Sequence, residues 1–99
     1  MTTQNRVPCR TPTPGREGVT NVPEWKFDLL RNAILTALRS GPVPFSELNA
    51  SVRSLVDDTE LERLGSLGWH VTTVKLELEC RGEIARFKEK GRQMLMLVQ

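Results

Sequence analysis

Residues 69–84 read WHVTTVKLELECRGEI, and this stretch decides the fold because it fits two periodicities. Read in twos, Val74, Leu76 and Leu78 alternate with charged residues, as they would in a half-buried strand. Read in threes and fours, Val71, Val74 and Leu78 share one face of a helix. The two interpretations place different side chains at the surface, so the choice also decides what the chain can bind.

Three features favour the helix. Arg81 followed by Gly82 is typical of the last turn of a helix and the residue after it, where glycine adopts a positive φ. A helix over residues 69–81 has an ordinary length, whereas a strand of that length would be unusual in so small a sheet. The helix also gathers the apolar residues into one buried stripe. The β-branched run VTTV opposes this interpretation, and we predict a helix in spite of it.

Two earlier segments have helical periodicity as well. The first follows Pro23 and Glu24 and ends at the sequence SGP, which stops a helix. The second covers residues 45–56, after a Pro-Val-Pro step that must be extended. Residues 59–62, TELE, fit a capping box and predict a short further turn. The apolar stripes are Phe27, Leu30, Ile34, Ala37 and Leu38 in the first segment, Phe45, Leu48, Val52, Leu55 and Val56 in the second, and Leu61 and Leu64 in the turn.

The last third of the chain is β-like. Residues 83–88 and 92–98 flank a charged turn in which Gly91 supplies a positive φ, so we predict an antiparallel hairpin. The second strand is apolar on both faces, with Met94, Met96 and Val98 on one and Leu95 and Leu97 on the other. The second apolar face needs cover. The first helix and the N-terminal residues could supply that cover, or a second copy of the chain in a homodimer.

The N-terminal residues differ from the rest in composition. Residues 1–22 are rich in proline and poor in apolar side chains, which predicts an extended or disordered arm, with residues 1–20 poorly ordered. Residues 23–99 are predicted to form one domain. The net charge of +2 lies in the arm, because residues 24–99 hold 11 basic and 11 acidic side chains. Any basic patch on the domain therefore has to be local.

The composition argues against several classes of protein. The chain has no apolar run of transmembrane length and no signal peptide, which predicts a cytoplasmic protein. His70 has no second ligand at metal spacing, and Cys9 and Cys80 are predicted to be free thiols. The sequence holds no arrangement of catalytic residues, so we predict no enzyme, no metal site and no cofactor.

The order of these elements resembles the winged helix-turn-helix superfamily, an α+β fold with three helices and a C-terminal β-hairpin wing, here after an extended N-terminal arm. VKLELECRGEIARFKEKG is similar to the passage from recognition helix to wing in bacterial winged-helix regulators. AILTALRSGPVPFSELNASV is similar to their first helix, short strand and second helix. The whole chain, including TPTPGR and GWHVTTVKL, resembles a small family of stand-alone bacterial winged-helix proteins without an assigned activity. TPTPGR, which ends at Arg16, is also similar to an arm that enters the minor groove.

The resemblance implies a DNA-binding protein, similar to a transcriptional regulator, whose third helix enters the major groove. Its contacts would be mainly with phosphate, because residues 81–92 hold five basic and two acidic side chains, a net charge of +3. The predicted nucleic-acid-binding residues are Thr72, Thr73, Lys75, Arg86, Lys88, Lys90 and Arg92.

A second hypothesis remains open. The predicted outer face of the third helix has no Arg, Asn or Gln to read bases, and it carries Glu77, which phosphates would repel. Trp69 and Leu76 on this face favour a protein-interaction or dimerisation module that binds no DNA. The predicted partner is therefore either double-stranded DNA or protein, and the protein partner could be a second copy of the chain.

Overall fold

The computed structural model describes residues 5–12, 15 and 18–98, which form four helices and two small sheets. The helices are α1 (Glu24–Ala37), α2 (Phe45–Arg53), α3 (Asp58–Leu64) and α4 (Leu67–Cys80). The strands are β1 (Arg6–Cys9), β2 (Thr20–Pro23), β3 (Val43–Pro44), β4 (Ile84–Glu89) and β5 (Arg92–Leu97). Strands β1 and β2 pair antiparallel, and a second antiparallel sheet has the order β3-β5-β4.

Helix α4 contains most of the ambiguous stretch, which confirms the helical prediction. The Ser66 side chain caps its first turn by accepting a hydrogen bond from the amide of Trp69 at 3.3 Å. At the other end Gly82, with a φ of 75°, donates its amide to the carbonyl of Glu79, and the next amide donates to the carbonyl of Leu78. These two bonds form a Schellman motif, which is why the predicted helix end is right.

The core lies between the helices and one face of the three-stranded sheet. The apolar stripes of α1, α2 and α4 meet there with Ile84 and Leu95 of the sheet. Side chains with no exposed surface include Leu30, Ile34, Leu48, Val52, Val71, Val74, Leu78 and Leu95. The stripe predicted for the third helix is therefore confirmed as its buried face.

The predicted winged helix-turn-helix fold is wrong, although the α+β class is right. The chain has four helices in the described residues, not three, because Asp57 rather than Thr59 caps a separate helix. The Asp57 carboxylate accepts from the amide of Glu60 at 2.8 Å, and the Glu60 side chain accepts from the amide of Asp57 at 3.4 Å. Helix α2 consequently ends at Arg53, and the helix predicted over residues 45–56 is too long.

The C-terminal hairpin forms as predicted, but it is not a projecting wing. Strands β4 and β5 pair over their full length. Strand β5 also pairs with β3, through Val43 opposite Leu95 and Pro44 opposite Met94. Because Leu95 is buried in the core, the hairpin belongs to the core sheet instead of extending from it.

The N-terminal residues form a second sheet. Cys9 and Val22 lie on it and are 4% and 1% exposed, packed into the same core as the helices. The predicted arm is therefore extended over Arg6–Cys9, and the poor order predicted for residues 1–20 stays a prediction. The same prediction for residues 1–4, 13, 14, 16 and 17, with the role suggested for Arg16, lies outside the described residues.

The turn between β4 and β5 depends on a glycine. Lys90 and Gly91 have φ values of 51° and 79°, the pattern of a type I′ turn. A Cβ at Gly91 would meet no atom within 4 Å, so Gly91→Ala adds conformational strain alone, about 1 kcal/mol. We expect the free energy of unfolding, measured by urea denaturation, to fall by that amount.

Gly68→Ala is the matched control. Gly68 lies in the first turn of α4, and a Cβ there would meet Asn49 Nδ2 at 3.6 Å, an ordinary contact. Alanine favours the helix over glycine, so we expect the free energy of unfolding to rise by up to about 1 kcal/mol. Equal losses in the two variants would contradict the proposed turn.

Candidate functional site

The carboxylate of Glu77 on α4 is buried and bound by two arginines. Glu77 is 2% exposed. Arg10, just after β1, donates to Oε1 from its backbone amide at 2.8 Å and from Nε at 3.0 Å, and to Oε2 from Nη2 at 2.8 Å. Arg81 donates from Nε to Oε2 at 2.8 Å. One carboxylate thus joins the N-terminal sheet to α4.

These contacts fix the charge states around Glu77. Burial raises the pKa of Glu77, but the hydrogen bonds from Arg10 and Arg81 outweigh burial and lower that pKa from 4.5 to about 2. Burial, together with the Glu77 charge, raises the pKa of the Cys9 thiol to about 11. Glu77 is therefore ionised and Cys9 protonated at neutral pH, which suits a structural contact and not nucleophilic chemistry.

A second ionic cluster lies on the flank of α4 that faces the sheet. Lys75 is 2% exposed. Its Nζ atom lies 2.8 Å from Glu79 Oε2 and 4.5 Å from the centre of the Phe45 ring. Arg86 of β4 approaches Oε1 of the same glutamate at 3.1 Å. Two cations therefore share one carboxylate between α4 and the sheet.

Three of the basic residues predicted to contact nucleic acid are thus engaged within the chain. Lys75 and Arg86 share Glu79, and Arg92 Nη2 donates to Glu47 at 2.8 Å. The Arg92 pair is exposed and breaks at little cost. Lys75 is enclosed, although its place on the helix suggested a residue within reach of phosphate.

The other two predicted cations are available. Lys88 and Lys90 are exposed at the tip of the hairpin. Over residues 5–12, 15 and 18–98 no ion pair holds either ammonium group. The basic hairpin predicted from the sequence therefore offers two free lysines.

One strip of α4 remains at the surface. Trp69 is 51% exposed, whereas Thr72, Thr73 and Leu76 are half-buried. Thr73 Oγ1 donates to the carbonyl of Trp69 at 2.8 Å, which leaves that hydroxyl occupied. The strip carries no charge, because Glu77, which helical position predicts on it, is buried instead.

The face of the three-stranded sheet that points away from the helices is also apolar. The strands alternate, so Leu95 faces the core and Met96 faces solvent. Met96 is 40% and Val98 49% exposed, so these two side chains lack cover among the described residues. We call this surface the outer sheet face, and it consists of Pro44, Ala85, Phe87, Met94, Met96 and Val98. Sequence alternation predicted its β5 residues, and only the register shows the others.

No group of three potential metal-ligating side chains occurs in the described part of the chain. No helix there is long and apolar enough to cross a bilayer. Cys9 and Cys80 are free thiols, as predicted.

The chain belongs to a family of unknown function, DUF6958, whose model matches residues 6–95. The matched segment contains the N-terminal sheet, all four helices and most of β5. Comparisons with curated proteins and with solved structures give no match. The winged-helix resemblance gains no support from these comparisons.

The pKa of Glu77 predicts a pH dependence of stability. Its folded-state pKa of about 2 lies below the ordinary 4.5, so the ionised form stabilises the fold. This contribution is fully present above pH 4.5 and is lost as the pH falls to about 2. It amounts to about 3 kcal/mol. Glu77→Gln should lower the free energy of unfolding at neutral pH by about this much and remove this part of the acid dependence in urea denaturation.

Glu47→Gln is the control for that experiment. The Glu47 carboxylate pairs with Arg92 at 2.8 Å, but its side chain is 61% exposed. An exposed pair contributes less than about 1 kcal/mol, so this variant should follow the wild type. Identical acid dependence in Glu77→Gln and the wild type would show that the buried contact does not stabilise the fold.

Proposed function

We propose that this protein is a dimerisation module that binds a second copy of itself through the outer sheet face. The observation that carries the proposal is the exposure of Met96 and Val98 on a sheet face that no helix of the described residues covers. An antiparallel sheet exposes one face to water when that face is polar. This face is apolar on all three strands, and such patches on soluble proteins mark sites of association.

The charges around the outer sheet face suit a second copy of the chain. The six residues of the face carry no charge. At its tip Glu89 lies opposite Arg92, and the charges of these two side chains cancel. A two-fold contact brings the same patch from both subunits together, so a patch with net charge would repel itself. This neutral patch does not repel a copy of itself. It also has no positive charge that could neutralise the phosphates of a polyanion such as DNA.

The side chains of the face are suited to packing against copies of themselves. Met94 and Met96 are unbranched and adapt to irregular surfaces. Phe87, paired with Met94 across the strands, adds a rigid aromatic ring. The strands cover only about 10 Å by about 17 Å, which is small beside the roughly 800 Å² per partner of a standard interface. We therefore expect a weak dimer, observable at high micromolar concentration.

DNA binding is the competing hypothesis and stays a prediction. Lys88 and Lys90 are its remaining free cations, and two neutralised phosphates give a log–log salt slope of about −2. Two phosphate contacts give only a small electrostatic contribution to DNA binding, and the other predicted cations are already paired within the chain. The dimerisation proposal predicts no measurable binding of random-sequence duplex DNA at about 50 mM salt.

Sedimentation equilibrium at increasing concentration tests the dimer, with Met96→Glu as the disrupting variant. A carboxylate at this position would be buried without a partner in the dimer, so we expect association at least about tenfold weaker. Leu55→Glu is the matched control, because Leu55 is also apolar and 47% exposed but lies outside the sheet. It should associate like the wild type.

Two results would contradict the proposal. One is a wild-type protein that remains monomeric at millimolar concentration. The other is equal weakening in both variants. Duplex DNA binding that is lost on changing Lys88 and Lys90 to alanine would instead support the DNA hypothesis.

A further inference from the structure

Within the part of the chain that the structure describes, strand β4 has a hydrogen-bonded neighbour on one side only, because the sheet order is β3-β5-β4. The amide of Val98 donates to the carbonyl of Glu83 at 3.1 Å, and this bond sets the phase of the β4–β5 ladder. Counted from that bond, Arg86 and Lys88 occupy the pairs that exchange no hydrogen bonds with β5. Their backbone N–H and C=O groups therefore point toward the open edge of the sheet.

The same two residues bring positive charge to this edge. The side chains of Arg86 and Lys88 lie on one face of β4, since they are two residues apart. Arg86 and Lys75 already share the carboxylate of Glu79. Lys88 makes no ion pair within the described residues. The carboxylate of Glu79 is therefore already shared by two cations, and the ammonium group of Lys88 is left without an ion pair on the same face of β4.

A peptide strand that pairs antiparallel with the open edge of β4 could match its charges and backbone groups with a short, simple sequence. Two of its residues, spaced i and i+2, would lie opposite Lys88 and Arg86 and on the same face as them. Acidic side chains at both positions would neutralise the excess charge. The residue between them would lie on the face of Phe87, which is half-buried and favours an apolar neighbour. A shallow depression beside the edge is lined by Arg86, Phe87, Lys88 and Gln93.

The edge is unsuited to a second copy of the chain. If two β4 strands paired antiparallel about Phe87, Arg86 of each copy would lie opposite Lys88 of the other. Like charges directly opposite one another destabilise a sheet. Lysine on an edge strand is a common device against edge-to-edge association. The occupant therefore has to be a chain of opposite charge, and the self-contact stays on the outer sheet face.

We infer that the free edge of β4 is a docking site for an extended acidic peptide of another protein, with the pattern acidic–apolar–acidic. The peptide adds to the sheet as a fourth strand, its backbone bonding to Arg86 and Lys88 and its acidic side chains facing theirs. This inference does not depend on dimerisation, because the open backbone edge and the side chains of Arg86 and Lys88 lie outside the outer sheet face, with which the site shares Phe87.

The test uses two synthetic peptides with blocked ends, TEVETV and its charge-reversed counterpart TKVKTV, titrated into the ¹⁵N-labelled full chain. We expect TEVETV to shift the amide signals of Arg86 and Lys88 and to slow their hydrogen exchange, because these amides gain acceptors. TKVKTV should leave both signals unchanged at the same salt concentration.

Variants separate the edge from other surfaces. Lys88→Glu should weaken TEVETV at least about tenfold and should gain binding of TKVKTV, which a merely structural role would not produce. Arg39→Glu changes an exposed arginine at the end of α1 and should leave both titrations unchanged. Met96→Glu should bind TEVETV like the wild type, because Met96 lies on β5 and is separated from the open edge by β4.

Three outcomes would overturn the inference. The first is shifts of equal size with both peptides. The second is shifts confined to residues away from β4. The third is a random-sequence DNA duplex that shifts the Arg86 and Lys88 amides more than TEVETV does under the same conditions, which would make the edge a nucleic-acid contact.

Discussion

The carboxylate of Glu77 is the contact on which the arrangement of this chain depends. A charge that is 2% exposed costs several kcal/mol unless it is paired and hydrogen-bonded. Arg10 and Arg81 provide that pairing, and Arg10 brings the N-terminal sheet with it. The sheet in turn places Cys9 and Val22 in the common core. An N-terminal segment with few apolar residues is held on the domain because one buried anion requires its arginine.

The internal ion pairs also determine which charges α4 leaves at the surface. Helix α4 directs Lys75, Glu77 and Glu79 into internal contacts, so the strip it leaves exposed carries no free charge. The hairpin, by contrast, exposes Lys88 and Lys90, which make no ion pair within the described residues. The three-stranded sheet thus offers two unlike surfaces, a neutral apolar face and a basic open edge. These surfaces favour different partners, and we assign the first to a second copy of the chain and the second to an acidic peptide.

Sequence reasoning succeeded where the determinant is local. Arg81-Gly82 marks the end of α4, and Gly91 marks the turn of the hairpin. Each glycine has a positive φ, which is a local preference that does not depend on distant contacts. It failed where the determinant is distant. Arg10 and Glu77 are 67 residues apart, and no spacing in the sequence links them. The pairing of β3 with β5 involves two residues of β3 and leaves no periodicity to detect, so the sequence alone predicts a free wing.

The candidate surfaces also differ in whether local sequence or distant contacts determine them. Alternation in MLMLV predicted that Leu95 and Met96 face opposite sides, because a strand has period two. Helical position alone placed Trp69 and Glu77 on one exposed face, and only Trp69 lies at the surface, since the burial of α4 depends on which elements pack around it. Two possible caps, Asp57 and Thr59, lie two residues apart in the sequence, and the structure has the capping box at Asp57.

Intermolecular nuclear Overhauser effects test the central claim most directly. The sample is a mixture of ¹³C-labelled and unlabelled chains at a concentration where the protein associates, and isotope filtering keeps only contacts between copies. Dimerisation through the outer sheet face predicts effects that link the Met96 methyl group of one copy with Met94, Met96 or Val98 of the other. Effects confined to Trp69 and Leu76 of α4, or none between copies, would contradict it.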